Sequence, residues 1–517
     1  GALSIETTGK TTGGKDGIRA VNRGTGALNI TTTGKTTGTT GSGIFAQNYG
    51  TGALSITTTG TTTGATDGIS ATNSRGTDLT INAAETEGGE NGIRAKHFGT
   101  GALSITTTGT TTGGTTKDGI YAYKYEGTDL TINVTELGAV IGGLHGIKAE
   151  NIGYSTGALS ITTTGETTGT DGDGIYAKNS GTDLTINAAT TRGGRNGIYA
   201  RNSGTGALSI TTTGTTTGYG TNLPFVNVQL PAGIYAKSEG GGAVNITTSG
   251  AVTGGLHGIN VQSRTNDGNN GKTSITVTST STITTSAVGG HGILNRMEKN
   301  SGNDFVPLSK SDVSNVITVA GTIKTTGDGA HGIVQDGGTS IANISGTVSA
   351  KGKLAAAVFH KSGSGHTVNL AEGAKITGSI SAANEASNNI LVYDEDADYE
   401  LTIGGEVDVE TGSEDEIKGT GAGQWTFYIE DDDGQLSTKD PNGTVIDVVK
   451  VANSECVADT NACYTVVYEA PLAPEQLDDI TNIDNDALID SLELGGSGGG
   501  SDKSGSSSTT AAQAHHN

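Results

Sequence analysis

Residues Gly52 to Asn73 read GALSITTTGTTTGATDGISATN. In Leu54-Ser55-Ile56-Thr57-Thr58-Thr59, apolar and polar side chains alternate and β-branched residues dominate, the pattern of a half-buried strand. Gly60 and Gly64 then punctuate turns. Asp67-Gly68-Ile69-Ser70-Ala71 opens another strand with Ile69 and Ala71 on one face. The stretch therefore reads as short strands linked by tight turns.

The same segments recur along the chain. GALSI or a close variant starts at Gly1, Gly26, Gly52, Gly101, Gly157 and Gly206, GTDLTIN at Gly76, Gly127 and Gly181, and GAVNI at Gly242. A Gly-Ile segment follows each, with its isoleucine at Ile18, Ile44, Ile69, Ile93, Ile120, Ile147, Ile175, Ile198, Ile234 and Ile259; looser copies sit at Ile293 and Ile333. No sustained 3.6-residue pattern appears before the C-terminal tail. A unit of roughly 25 residues that cannot bury its own apolar face implies stacked coils. The expected fold is all-β, a right-handed parallel β-helix (β-solenoid) of roughly 25-residue coils with a C-terminal cap. Some 15–18 coils would rise very roughly 70–90 Å. Regular coils are expected over 1–260 and irregular coils with inserts over 261–420. A cap follows over 421–470, then a flexible acidic, Gly/Ser-rich linker over 471–517.

Composition agrees with a thin core. The chain has 517 residues, 86 of them Gly and 6 Pro, with 32% hydrophobic residues. Such a chain reads as disordered by composition alone, and the strict repeat argues otherwise. The net charge of −23 is uneven: 29 acidic and 4 basic residues from Glu385 onward leave 24 acidic and 26 basic before it. An acidic chain without a strong basic cluster argues against nucleic-acid binding. No run of about 18 apolar residues predicts a spanning helix. Cys456 and Cys463 could close a small disulfide loop in an oxidising compartment, and their spacing lacks the further ligands zinc requires.

Aligned repeats demote some chemical candidates. His145, His257, His291 and His331 precede Gly-Ile in a slot that other coils fill with Asp, Asn, Ser or Ala. A metal or catalytic role would not tolerate that exchange, so a turn slot favouring small or left-handed-tolerant residues is expected. Asn22, Asn48, Asn73, Asn151, Asn179 and Asn202 recur four residues after the isoleucine and should hydrogen-bond from coil to coil. The acidic runs Tyr393–Asp398 and Glu430–Gly434 match no calcium loop and read as solvated turns. No catalytic residue, metal site or cofactor is expected.

Strand alternation leaves one outward pair per coil: Arg94 and Lys96, Tyr121 and Tyr123, Lys148 and Glu150, Tyr176 and Lys178, Tyr199 and Arg201, Tyr235 and Lys237. This stripe is a candidate docking face, since Tyr offers a flat ring and a hydroxyl, and cations attract carboxylate or sulfate. The alternative is a solvated strand face. Two inserts are further candidates, through Phe225 and Val226 in YGTNLPFVNVQLPA and through Phe305 and Leu308 in NRMEKNSGNDFVPLSKSD. Such protrusions are also natural antibody targets.

The Gly/Thr/Asn-rich coils, the segment GAGQWTFY from Gly421 to Tyr428 and the tail PLAPEQLDDITNIDNDALIDSLELGG from Pro471 resemble autotransporter (type V secretion) passengers of Gram-negative bacteria. The GALSITTTG and DGIYAKN repeats resemble those of the CAMP-like factor autotransporters of erythrocyte-infecting bacteria. The resemblance implies display on the bacterial surface, outside the outer membrane, with membrane attachment only through a C-terminal β-barrel beyond this sequence. It implies an adhesin, not an enzyme, whose partner is a host-cell receptor, protein or acidic glycan, including on erythrocytes. Rival readings are bacterial self-association through a solenoid face, pectin-lyase-like polysaccharide cleavage, and ice binding through outward Thr ranks. Cleavage would need acidic and basic groups converging on one cleft, and no coil pair supplies them on one strand face.

Overall fold

The computed structural model describes residues 1–135, 138–220, 231–265 and 272–382 apart from 302–303, 308–313, 354, 364 and 372–373; beyond 382 it describes strands at 389–394, 401–403, 416–420, 425–430, 436–437, 448–451 and 463–467. A regular coil contains three strands, except that the first two run together as Leu159–Gly169 and as Leu184–Gly193. In the coil quoted above they are Leu54–Thr58, Thr62–Gly64 and Ile69–Asn73. Alternation decides which side chains turn inward: Leu54, Ile56 and Thr58 are buried, while Ser55 and Thr57 are half-buried.

The coil strands pair in parallel with their counterparts one coil away, and equivalent residues meet: Leu54 with Leu28 and Leu79, Thr62 with Thr36 and Thr86, Ile69 with Ile44 and Ile93. The result is a right-handed parallel β-helix of about 13 turns among the described residues. The further coils expected beyond these turns fall largely outside the described residues. The core is a set of vertical columns. Leu54, Ile56, Ile69 and Ile93 are all 0% exposed, and each such side chain contributes about 2 kcal/mol by leaving water.

The residue ending the second strand is Gly for a steric reason. A Cβ on Gly64 would lie 2.0 Å from the Asp67 carbonyl oxygen, and on Gly142 or Gly193 it would lie 1.8 Å from that of His145 or Asn196. The turn folds back so closely that only hydrogen fits.

The slot before Gly-Ile corrects one expectation. Its histidines are structural, but the slot is not a matter of left-handed tolerance. Its side chain accepts a hydrogen bond from the backbone N–H of the same slot one coil on. Asn91 N donates to Asp67 Oδ1 (3.3 Å), Asp118 N to Asn91 Oδ1 (3.3 Å), His145 N to Asp118 Oδ1 (3.1 Å), Asp173 N to His145 Nδ1 (2.9 Å) and Asn196 N to Asp173 Oδ1 (3.1 Å). Any short side chain with an inward lone pair serves, which is why Asp, Asn and His interchange.

The Asn ladder forms as expected. Asn22 Nδ2 donates to Asn48 Oδ1 (3.1 Å), Asn48 to Asn73 (3.0 Å), Asn151 to Asn179 (2.7 Å) and Asn179 to Asn202 (3.0 Å). Between Asn73 and Asn151 the same column holds His97 and Lys124. Lys124 is 0% exposed. Its ammonium donates to the carbonyls of Gly101 (2.6 Å) and Glu126, replacing the amide of a regular coil. Burial pulls its pKa down to about 8 against the nearby carboxylates of Asp129, Asp78 and Glu126. Lys124→Leu leaves both carbonyls without that donor and is expected to cost about 2 kcal/mol; Lys124→Asn, which restores the ladder residue, should cost less. Thermal midpoints of the two variants check this.

Among the described residues the pairing sense changes in three places, one of them where Leu436–Ser437 folds back on Trp425–Glu430. Asp304–Pro307, which contains Phe305, folds back antiparallel on Glu298–Ser301. Near the C-terminus, Glu416–Thr420 and Val448–Val451 both pair antiparallel with Cys463–Val467. Phe225, Val226, Leu308 and Cys456 lie outside the described residues, and so therefore does the Cys456–Cys463 pair.

Candidate binding face

The third strands bring the sequence-predicted stripe into register. Arg94, Tyr121, Lys148, Tyr176, Tyr199 and Tyr235 form one outward column; Lys96, Tyr123, Glu150, Lys178, Arg201 and Lys237 form the next. The two columns do not present a uniform exposed face, and this corrects the expectation for Tyr199 and Tyr235. These tyrosines are 4% and 2% exposed. Tyr176, Tyr199 and Tyr235 stack face to face, with ring centroids 4.9 and 5.1 Å apart and planes within 9° and 6°. The Tyr235 hydroxyl donates to Gln262 Oε1 at 3.0 Å. Burial raises the pKa of Tyr235, with Tyr199, Glu298 and Glu239 adding to it. These rings weld coils together.

The cations beside them are also engaged. Glu239 takes Arg201 at 2.6 Å and Lys237 at 3.0 Å, and Arg264 bridges at 3.0 Å to Glu298. Burial works against the Glu239 charge, yet hydrogen bonds from Lys237, Ser203 and Arg201 hold its pKa at about 2. Lys178 lies over the Tyr176 ring, 4.9 Å from its centre. From Tyr176 onward the stripe is a self-satisfied network.

The earlier part of the stripe also pairs cations, Lys148 with Glu150 at 3.5 Å and Arg94 with Asp67 at 3.9 Å, and differs in its rings. Here the third strand lengthens from the usual five residues to eight, Ile120–Gly127, and then nine, Ile147–Ser155. Tyr121, Tyr123 and Tyr125 alternate outward along one strand and are half-buried. Arg94, Lys96 and Phe98 flank this row on one side, and Lys148 and Glu150 on the other. A register shift after Lys124 then brings Glu126 opposite Tyr154. Tyr154 is 74% exposed and Phe98 36%. Phe98 packs 5.7 Å from Tyr123, and Tyr154 meets Tyr125 edge-on at 5.7 Å. Lys148 sits 5.0 Å from the centre of Tyr121. Burial, then the charge of Glu150, pushes the Tyr121 hydroxyl up to about 12, so it remains a donor at neutral pH.

Residues 94–154 thus carry an open aromatic platform edged by cations, on a rigid ladder and beside the buried Lys124. Sequence reasoning found Arg94, Lys96, Tyr121, Tyr123 and Lys148, and missed Phe98, Tyr125 and Tyr154. The signal for Tyr125 was present in IYAYKYE, where the alternation runs one step past the usual strand end. Phe98 and Tyr154 have no periodic signal, because their placement depends on the lengthened strands.

The outward Thr rank needed for ice binding is broken over the middle coils, where Asn82, Asn133 and Asn187 alternate with Thr57, Thr106, Thr162 and Thr211 in a single column. It is continuous over the shorter run Thr211, Thr247, Thr276 and Thr318. No family description, curated protein or solved structure matches this chain.

Proposed function

We propose that the chain is a surface-displayed adhesin of the autotransporter-passenger type, and that it docks host cells, erythrocytes among them, through the aromatic platform at residues 94–154. The observation that carries this reading is the contrast within one stripe. Tyr199 and Tyr235 are buried in a stacked column, whereas exposed Tyr154 and Phe98 pack on half-buried Tyr125 and Tyr123 beside Lys96 and Arg94. Flat rings with adjacent donors, held on a ladder that loses little entropy on binding, suit recognition of a sugar or protein surface.

The test is adhesion of the purified chain to host cells. Tyr123→Ser combined with Tyr154→Ser is expected to weaken binding at least tenfold, on the order of 1.4 kcal/mol, with an unchanged β-sheet spectrum. Tyr219→Ser removes another exposed ring, 51% exposed and away from the platform strands, and should leave binding intact. Equal binding by all variants would remove the platform from the proposal. Clumping of the protein-coated particles without host cells would favour self-association instead.

A further inference from the structure

The slot before Gly-Ile changes character along the solenoid. Asp67, Asn91, Asp118, Asp173 and Asn196 do its work in the first coils; His257, His291 and His331 do it later. His291 N donates to His257 Nδ1 at 3.1 Å, His331 N to His291 Nδ1 at 3.2 Å, and Ala356 N to His331 Nδ1 at 2.9 Å. The rings stack at 5.1 and 5.1 Å, and His331 continues onto Phe359 at 4.5 Å. We infer that residues 257–356 form an acid-sensitive segment of the solenoid, whose coils are joined at neutral pH by backbone-to-imidazole bonds that protonation breaks.

The chemistry separates the three slot residues. A carboxyl group that gains a proton keeps a carbonyl oxygen to accept the bond, and an amide does not titrate. An imidazole has one acceptor nitrogen, and protonation turns it into a donor facing a donor. Each ring is close to another that would also charge. The further charges acting on the column are cationic: Arg296 on His257 and His291, and Lys361 on His291. Both cations have Asp336 as partner, at 3.8 Å for Arg296 and 3.0 Å for Lys361. Among the described residues no carboxylate is in ion-pair contact with these three rings. The earlier His145 differs, with Asp173 Oδ2 at 3.4 Å to offset a charge.

Burial first, and the neighbouring cations or imidazoles at His257 and His291, lower the pKa from 6.5 to about 4 for His257, about 3 for His291 and about 4 for His331. The opened segment therefore binds more protons than the closed one below pH 6.5. Stability is complete above about pH 6.5 and falls progressively as pH drops toward 4. Three coupled sites raise the opening constant by up to about a thousandfold per pH unit across that window.

Hydrogen exchange on the whole chain tests this, with rates corrected for intrinsic pH dependence. Between pH 7 and 4.5 the amides of His291, His331 and Ala356 are expected to lose protection by at least a hundredfold relative to those of Asn91, Asp118 and Asn196. A chain carrying His257→Asn, His291→Asn and His331→Asn keeps an acceptor in each slot and should hold its protection to pH 4.5. Equal behaviour of the two amide groups in the unmodified chain would overturn the inference. So would imidazole titration above pH 6 by NMR, which needs no variant.

Discussion

Gly193→Ala is expected to destabilise the coils around it by about 3 kcal/mol or more, because the turn cannot yield. The added methyl would sit 1.8 Å from the Asn196 carbonyl oxygen and 2.7 Å from Gly174 N, both backbone atoms. Those atoms belong to the ladder: Gly174 N donates to Asn196 O at 3.1 Å, so moving either breaks coil-to-coil pairing. Gly142→Ala meets the same obstacle at His145 O and should behave alike. Gly9→Ala is the control, since nothing lies within 4 Å of a Cβ there. It should change stability by no more than about 0.5 kcal/mol. Urea midpoints, with hydrogen exchange to localise the loss, read all three. A Gly193→Ala chain as stable as the parent would mean that the turn geometry is adaptable.

Thr36→Val, Thr86→Val, Thr167→Val and Thr216→Val together are expected to stabilise the solenoid by roughly 4 kcal/mol, about 1 kcal/mol each. Each threonine is 0–1% exposed, and its Oγ1 has no protein hydrogen-bond partner. Burying a hydroxyl without a partner costs free energy that a methyl does not. The chain already tolerates the exchange. Val140 pairs with Thr111 and Thr167 in this column, and Val252 pairs with Thr216. Val140 Cγ1 lies 2.7 Å from the Cβ position of Gly119, as the Thr62 methyl lies 2.7 Å from that of Gly43. The four positions are not adjacent in the column, so their effects should add. A higher thermal midpoint for the combined variant is the expected reading; a lower one would mean the hydroxyls are satisfied by solvent inside the coil.

The proposed platform and the acid-sensitive column occupy different stretches of the same ladder, so the two experiments are separable. Loss of adhesion in the Tyr123/Tyr154 variant bears only on coils 94–154. Loss of amide protection in acid bears only on coils 257–356.

The sequence by itself determined the fold class, the strand phases and the ladders. A period of roughly 25 residues with alternation inside each unit leaves few ways to bury Leu54, Ile56 and Ile69 except against their own repeats. Comparing coils also identified the slot histidines as structural and the Asn column as a ladder, because residues that stack must be interchangeable or self-complementary. The tertiary structure decided what alternation cannot. Period-two logic says which way a side chain points, and it does not say whether something lies over it. Tyr199 and Tyr235 point outward and are still covered, while Tyr123, Tyr125 and Tyr154 remain accessible. The acceptor role of Asp67 and His257, and the carbonyl that excludes a Cβ at Gly193, depend on atoms one turn away in space. Chain proximity carries no trace of them until the coils are stacked.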